Sequence, residues 1–404
     1  MMDQDTALLG LAHLMTLAFQ GRDLRPLAQR LMERAARDEQ DACALMDLST
    51  VLMLQGERAL GLAAQSQALQ TQRMYSLPGP HEHAIRLLAV MAPGDLMANA
   101  PLPFLTEAAG IALHMVYVLP GEPLPQPLPA HDAIFVAVSE SDPTRPLLDA
   151  LGRQLAGWPA PVINRADRIP RTSRAQAYAV LEGVPGILMP PSARVDASTL
   201  QALARGDTAP AAVLPDGGYP LIVRPVDSHA GHGLARIEGP QDIAPYLAEQ
   251  APADAFFISR FIDYRSADGL FRKYRVVLID GVPYAAHMGV SSHWMIHYLN
   301  AGMSDSAAKR AEEEAFMTGF ERAGGFGQRH AAALSAVADR FGLDYLVLDC
   351  AETPAGELLV FEVDPGAVVH SMDPDDLFPY KRPHMDKIYR GFHAMLARAM
   401  AAPR

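Results

Sequence analysis

Two apolar runs near the C-terminal end constrain the fold most strongly. They read DYLVLDCAE and ELLVFEVDP, and a short TPAG segment at 353–356 separates them. Apolar, β-branched runs around a Pro/Gly turn predict a β-hairpin. Glu362 and Asp364 are two residues apart, so they share one face of the second strand, and Asp349 lies on the facing strand. The hairpin therefore brings three carboxylates onto one surface.

These three carboxylates lie among apolar neighbours, Val360, Phe361 and Val363. Clustered acids repel each other unless a cation neutralises them. Oxygen-only ligands suit magnesium better than zinc or copper, and magnesium indicates a phosphate-bearing substrate. The alternative interpretation is that one or more of the acids is simply exposed on an edge strand.

The N-terminal segment, residues 1–76, has no strand-like stretch, and its apolar residues recur at helical spacing. This pattern predicts helices at about 5–19, 24–37, 40–54 and 57–73. The last two, DACALMDLSTVLMLQGERALGLAAQSQAL, resemble a tetratricopeptide unit. The segment is either a groove for a peptide or protein, or a structural cap or dimer contact.

The rest of the chain mixes strands and helices. Between 84 and 165, short apolar runs alternate with helical stretches, which predicts β-α-β-α-β units and a small parallel sheet. From 166 onward we expect strands at PLIVRPV and FFISRFIDY, a hairpin turned at Asp280-Gly281, helices near 306–322 and 328–341, and then the acidic hairpin. The predicted fold class is α+β or α/β.

Composition narrows the possible functions. A net charge of −12 argues against a nucleic-acid or anionic-membrane surface. Cys43 and Cys350 are far apart, which indicates neither a disulfide framework nor a zinc site. The N-terminus lacks the features of a signal peptide, and no apolar run reaches the ~18 residues that span a bilayer. We therefore expect a cytoplasmic protein.

A second motif is the segment PLIVRPVDSHAGHGLARI at 220–237. Arg224 ends a strand there, and a stretch of small residues leads into the next strand. That stretch comprises Ser228, His229, Ala230, Gly231, His232 and Gly233. Glycine and alanine let the backbone approach a ligand, so successive N–H groups can cradle phosphate oxygens. The motif predicts a hairpin flap over phosphates; the alternative is an ordinary glycine-rich hairpin.

These segments, in this order, resemble the ATP-grasp superfamily of carboxylate–amine ligases over about residues 84–400. The resemblance implies a pre-grasp domain at 84–165 and an ATP-grasp domain at 166–404 with a small lobe at 185–262. ATP would lie between the lobes. Asp349 and Glu362 would hold one Mg²⁺, and Glu362 and Asp364 a second, with Mn²⁺ as a substitute. The family more often has Asn at the position of Asp364.

The resemblance also implies nucleotide contacts. Arg224 stands where a lysine normally contacts the α-phosphate, and Arg171 or Arg174 replaces the family's other lysine. Arginine keeps the charge and can grip phosphate bidentately. FFISRFID is similar to the linker that recognises adenine. It places Arg260, Phe261 and Ile262 beside the base, and Asp263 or Asp268 near the ribose.

Further catalytic candidates follow the same resemblance. Arg275, in RKYRVVLIDG, would face the triphosphate or the acyl phosphate, and Asn300 keeps its place before Gly302. His287 and His293 are candidates for substrate or phosphate contact, or else hydrogen-bonded structural histidines. His293 and His297 have the spacing of a zinc helix, but the Glu of H-E-x-x-H is absent, so zinc is not favoured.

The implied reaction activates a carboxylate as an acyl phosphate and joins it to an amine, releasing ADP and phosphate. The implied partners are ATP, a carboxylate and an amine. One of the two substrates would be a peptide or protein bound by the N-terminal helices, and a homodimer is a further expectation. Two alternatives stay open. One is an inactive nucleotide-binding adaptor that recruits a partner through its helices, and the other is a kinase-like or non-amine-transferring enzyme.

Overall fold

The computed structural model describes residues 7–79, 84–215, 217–226, 228, 231–297 and 300–402. Its N-terminal segment is helical; the first helix begins six residues after its predicted start, and the other three lie within two residues of their predicted bounds. The helices are Leu11–Phe19 (α1), Arg25–Arg37 (α2), Ala42–Leu54 (α3) and Arg58–Thr71 (α4). Pro26 lies in the first turn of α2, where its missing N–H costs nothing, and the Asp41 side chain caps α3 by accepting from the Ala44 N–H.

A sheet of order β1-β3-β2-β4-β5 follows. Its elements are β1 (Met74–Leu77), β2 (Arg86–Met91), α5 (Pro103–Ala109), β3 (Ala112–Tyr117), β4 (Ala133–Val136), α6 (Arg145–Gln154) and β5 (Val162–Ile163). Strands β2 to β5 pair in parallel, as predicted. The expectation that residues 1–76 contain no strand was wrong, because β1 begins at Met74 and pairs antiparallel with β3. Four edge-strand residues show no periodicity, and only the distant partner creates the strand.

The small lobe is an antiparallel sheet of order β7-β10-β8-β9 with two helices. Before it lie α7 (Arg174–Leu181) and β6 (Ile187–Leu188). The lobe itself comprises β7 (Ser192–Asp196), α8 (Ala197–Arg205), β8 (Leu221–Pro225), β9 (Ala235–Ile237), α9 (Ile243–Glu249) and β10 (Ala255–Arg260). Its core includes Leu203, Val223 and Phe256 and is built from residues of this lobe.

The large lobe carries a sheet of order β12-β11-β13-β14-β6. Its remaining elements are β11 (Phe271–Ile279), β12 (Val282–Ser291), α10 (Ala307–Gly319), α11 (Phe326–Arg329), α12 (Ala331–Phe341), β13 (Tyr345–Glu352), β14 (Leu358–Asp364) and α13 (Lys381–Ala401). Both predicted hairpins are present. Asp280 and Gly281 have φ of 52° and 75°, which is the left-handed pair that a two-residue hairpin turn needs.

The sheet at 84–165 and the large lobe share continuous hydrophobic cores. One core joins Val90 and Val136 to Val276 and Leu348, and a second joins Phe135 to Tyr345 and Phe392. Asn164 adds a polar link, because its amide donates to Tyr345 O at 2.8 Å and accepts from Tyr345 N at 2.9 Å. These two regions therefore pack as one unit, with the small lobe as a separate one.

The α/β fold class is confirmed by this arrangement of helices and sheets. Within the described ranges, no helix combines the length and apolar character needed to cross a membrane.

Candidate functional site

A row of charged side chains crosses the large-lobe sheet. In register, His287 on β12 faces Arg275 on β11, Arg275 faces Asp349 on β13, and Asp349 faces Glu362 on β14. Directly paired residues point to the same face of a sheet, and Asp364 joins them two residues along β14. The register shifts just beyond Arg275 and Asp349, and such bulges re-aim side chains beside functional sites. The three predicted acids thus share one face.

Asp349 is the most enclosed of the three acids, with 6% of its surface exposed. Arg275 binds it bidentately, with Nε 2.7 Å from Oδ1 and Nη2 3.0 Å from Oδ2, and Lys273 Nζ lies 2.7 Å from Oδ2. Burial opposes ionisation, but the charges of Arg275 and Lys273 outweigh it and hold the pKa of Asp349 well below its usual range. The acid is therefore a carboxylate matched by two cations.

Lys273 was not predicted as a site residue. The available signal was its position two residues before Arg275 on one strand, which places both side chains on the same face.

Glu362 and Asp364 face the opening between the lobes. Glu362 Oε1 accepts a hydrogen bond from Arg174 Nη2 at 2.9 Å, and Asp364 Oδ1 accepts one from the Gly366 N–H at 2.7 Å. Burial and the charge of Glu362 raise the pKa of Asp364 to about 7. Burial also opposes ionisation of Glu362, yet Arg174 keeps its pKa below the usual value. This pair of acids carries more negative charge than its surroundings neutralise.

A second row lies on the small lobe. Arg194, Phe257 and Arg224 are register partners across β7, β10 and β8, so they share one face. Arg224 Nε donates to Ser228 Oγ at 3.1 Å, and its Nη2 donates to Ser228 O. Burial and the charge of Arg174 lower the pKa of Arg224 to about 10. The arginine is thus tied to the start of the predicted flap and still carries its charge.

Within the predicted flap at 228–233, His229 and Ala230 lie outside the described residues. Gly231 and Gly233 have φ of 78° and 64°, so both need the left-handed freedom of glycine. A Cβ on Gly233 would meet Pro225 Cδ at 2.7 Å. His232 lies between these two glycines. The backbone therefore turns tightly against the end of β8.

A cavity of about 470 Å³ lies between the two rows. Arg174, Arg224, Glu362 and Asp364 line it, together with the first turn of α7. An unpredicted third wall comes from the segment after β4. It contains Ser139, Glu140, Ser141, Asp142 and Arg145. The signal for this wall was its position at the carboxyl end of a parallel strand, where ligands commonly bind.

Other predicted residues lie apart from the described lining of this cavity. Arg171 is exposed and its Nη1 donates to Arg340 O at 3.0 Å, so of the two candidate arginines only Arg174 faces the opening. His287 is 5% exposed, and its ring centroid lies 4.7 Å from that of His370. Arg275 is directed at Asp349 instead.

His293 and Asn300 are exposed, and neither belongs to a long helix. The Asn300 side chain accepts from the His297 N–H at 3.0 Å, and His293 N donates to Ser291 Oγ at 3.0 Å. Residues 292–297 are irregular, so the i, i+4 histidine spacing does not form a zinc helix. Across the described ranges, no group of three or more His, Cys, Asp or Glu side chains is arranged to hold a metal ion.

The linker predicted to recognise adenine follows β10. Arg260 ends that strand, and the Phe261 N–H donates to Pro220 O at 3.0 Å. The Arg236 guanidinium lies over the Phe261 ring at 4.1 Å, while Ile262 packs in the neighbouring apolar cluster. Asp263 pairs with Arg265, and Asp268 pairs with Arg272 at 2.7 Å. The linker thus presents a cation-covered aromatic ring and two neutralised acids.

No family model and no curated protein matches this sequence. Solved structures do match it, at low identity. A RimK domain ATP-grasp protein from Sphaerobacter thermophilus is 16% identical with a TM-score of 0.43, covering 77% of this chain and 99% of its own. VanG D-Ala:D-Ser ligase from Enterococcus faecalis is 12% identical, with a TM-score of 0.44, and 77% and 100% of the two chains are covered.

A third structure is the D-alanine–D-alanine ligase from Bacillus anthracis complexed with ATP. It is 13% identical with a TM-score of 0.41, covering 80% of this chain and 100% of its own.

Proposed function

We propose that this protein is an ATP-dependent ligase that activates a carboxylate as an acyl phosphate and joins it to an amine. The observation that carries the proposal is the cavity in which Arg174 and Arg224 face Glu362 and Asp364. Cations and acids that meet across a cleft suit a triphosphate with its metal ion, because the phosphates bind the arginines and the metal binds the acids.

The residues around the cavity fit a bound Mg²⁺. Glu362 and Asp364 offer oxygen donors only, and the raised pKa of Asp364 reports negative charge that a cation would relieve. In the proposed complex these two acids hold the metal. The bound ion would draw charge from the phosphate oxygens and make the γ-phosphate a better electrophile.

Arg174 and Arg224 supply fixed positive charge for the phosphate oxygens, aided by backbone N–H groups of the flap and of the α7 N-terminus. A substrate carboxylate oxygen bonds to the γ-phosphorus while the bridging bond to ADP breaks. The amine nitrogen then bonds to the acyl carbon, and the C–O bond to phosphate breaks. The chain's own task is to hold the reactants in line and exclude water.

Nucleotide binding gives the first test. ATP affinity should rise when Mg²⁺ is added to the wild-type chain, and Glu362→Gln should remove most of that gain while circular dichroism stays unchanged. Identical affinities with and without Mg²⁺ would contradict the proposal. ADP release with a set of carboxylates and amines, with products identified by mass spectrometry, then separates ligation from phosphorylation or transfer to a non-amine acceptor.

We further propose a peptide or protein as one substrate, held near the N-terminal helices. Deleting those helices is a poor test, because Leu45 and Leu69 belong to the same core as Phe135. Point variants are preferable: Leu60 on α4 is 58% exposed and Met32 on α2 is 49% exposed. If Leu60→Glu and Met32→Glu leave peptide turnover unchanged, the helices are a structural cap.

Binding of ATP with no turnover of any tested substrate would favour the inactive adaptor.

A further inference from the structure

We infer that the cleft holds one divalent ion, bound by Glu362 and Asp364, and that Asp349 serves as the anion of an internal ion-pair cluster instead of a metal ligand. This inference rests on the proposed function, since it concerns the same nucleotide site. It departs from the two-ion arrangement that the sequence resemblance implies. The departure follows from how the three acids are surrounded.

Asp349 has both carboxylate oxygens occupied. Oδ1 accepts from Arg275 Nε at 2.7 Å, and Oδ2 accepts from Arg275 Nη2 at 3.0 Å and lies 2.7 Å from Lys273 Nζ. Its side chain is 7% exposed. A metal ion at Asp349 would therefore have to displace both cations from a largely buried row and leave their charges unmatched.

Arg275 is itself fixed from a second direction. Its Nη1 donates to Val368 O at 2.7 Å, in the segment that follows β14. The same segment supplies the Gly366 N–H that holds Asp364. Arg275 thus bridges Asp349 to the loop beside the metal-facing acid. Rotating it away from Asp349 would also break the contact that orders this loop, so the ion pair is part of the frame of the site.

Glu362 and Asp364 differ from Asp349 both in their exposure to the cavity and in the cations that bond them. Both line the cavity, and the Glu362 side chain is 44% exposed. Arg174, at the start of α7, bonds one oxygen of Glu362. An ion can therefore reach these two acids from the cavity without breaking the buried row. Phosphate oxygens and water complete the coordination of a hard divalent ion.

The number of bound ions tests this inference directly. The full-length wild-type chain, saturated with a non-hydrolysable ATP analogue, is titrated with Mn²⁺, and free Mn²⁺ is followed by electron paramagnetic resonance. We expect saturation at about one Mn²⁺ per chain. Saturation at two ions would overturn the inference and leave the proposed ligase intact. No Mn²⁺ binding with the nucleotide bound would overturn both.

Matched variants identify the ligands. Glu362→Gln and Asp364→Asn should each weaken Mn²⁺ binding by roughly tenfold or more. Asp349→Asn should leave the Mn²⁺ affinity within about twofold, provided that circular dichroism shows a folded chain. A loss in Asp349→Asn equal to that in Glu362→Gln would overturn the inference. Should Asp349→Asn fail to fold, the wild-type ion count decides the question alone.

Discussion

The small-lobe wall and the large-lobe wall of the cleft are built differently. On the small lobe, Arg194, Phe257 and Arg224 lie on a sheet that packs over a core of its own. On the large lobe, the acidic row lies on a sheet whose cores run continuously into the sheet at 84–165. A separate core lets the small lobe move as a body, whereas a shared core fixes the acids in place.

The cations of the two walls also differ in the groups that they bond. Arg224 on the small lobe bonds to Ser228 at the start of the flap, the segment that would cover the nucleotide in the proposed complex. Arg275 and Lys273 on the large lobe bond Asp349 within their own sheet. In the proposed complex the small-lobe wall therefore offers cations to the nucleotide, whereas Arg275 and Lys273 neutralise Asp349 within their own sheet. Four predictions test this contrast.

Truncating a buried phenylalanine in either core should give the largest loss of unfolding free energy. Phe256 and Phe135 are both fully buried, so Phe256→Ala and Phe135→Ala should each cost about 3–5 kcal/mol of unfolding free energy. Hydrogen exchange should distinguish them. Phe256→Ala should expose amides of β8 and β10 and spare β13, while Phe135→Ala should expose β4 and β13 together. Equal loss of protection on β13 in both variants would mean that the small lobe is not independent.

The buried ion pair gives the next effect. Arg275→Met leaves Asp349 with Lys273 alone, so the free energy of unfolding should fall by about 3 kcal/mol. Arg194→Met is the matched control on the other wall, because its partner Asp142 is exposed, and the loss there should stay within about 1 kcal/mol. Denaturant titration measures both. Similar losses would contradict the contrast between the walls.

His370, in the segment that follows β14, should make the stability of the fold depend on pH. His370 packs between Phe19 and Phe104, and burial lowers its pKa from 6.5 to about 4. Between these values the unfolded chain binds the proton and the folded chain does not, so stability falls as the pH drops below 6.5. From pH 7 to pH 5 the contribution of His370 alone should be a loss of about 2 kcal/mol, which the raised pKa of Asp364 opposes.

His370→Gln should flatten this pH dependence in denaturant titrations, because Gln does not titrate. Part of the slope should persist, since burial also lowers the pKa of His287. His293→Gln, at an exposed position, is the matched control for replacing a histidine by glutamine. An identical pH slope of the unfolding free energy in wild type and His370→Gln would show that His370 does not cause this dependence.

The two candidate nucleotide arginines give the smallest effect. Arg174→Ala should weaken ATP binding roughly tenfold, because a charged hydrogen bond in the cleft is lost. Arg171→Ala should change it less than about twofold, since that side chain bonds to Arg340 O outside the cavity. Fluorescence or calorimetric titration measures both affinities. A larger effect of Arg171→Ala would reverse the assignment.

Local sequence signals predicted most of the elements. The Asp280-Gly281 turn, the acidic hairpin and the four N-terminal helices were found, because turn chemistry and periodicity are local properties. The start of α1, six residues later than predicted, was the least accurate of the helix bounds. The strand β1 was missed because only pairing with β3 creates it. The tetratricopeptide resemblance, the metal ligands and the adenine contacts stay predictions.

The sequence by itself determined that Asp349, Glu362 and Asp364 share a face, since strand alternation and one hairpin fix that geometry. Only the tertiary structure decided which acids face the cavity. Lys273 and Arg275 reach Asp349 from the neighbouring strand β11, and Arg174 reaches Glu362 from a helix 188 residues away. Such charge pairing depends on which distant segments meet, and spacing along one chain does not encode it.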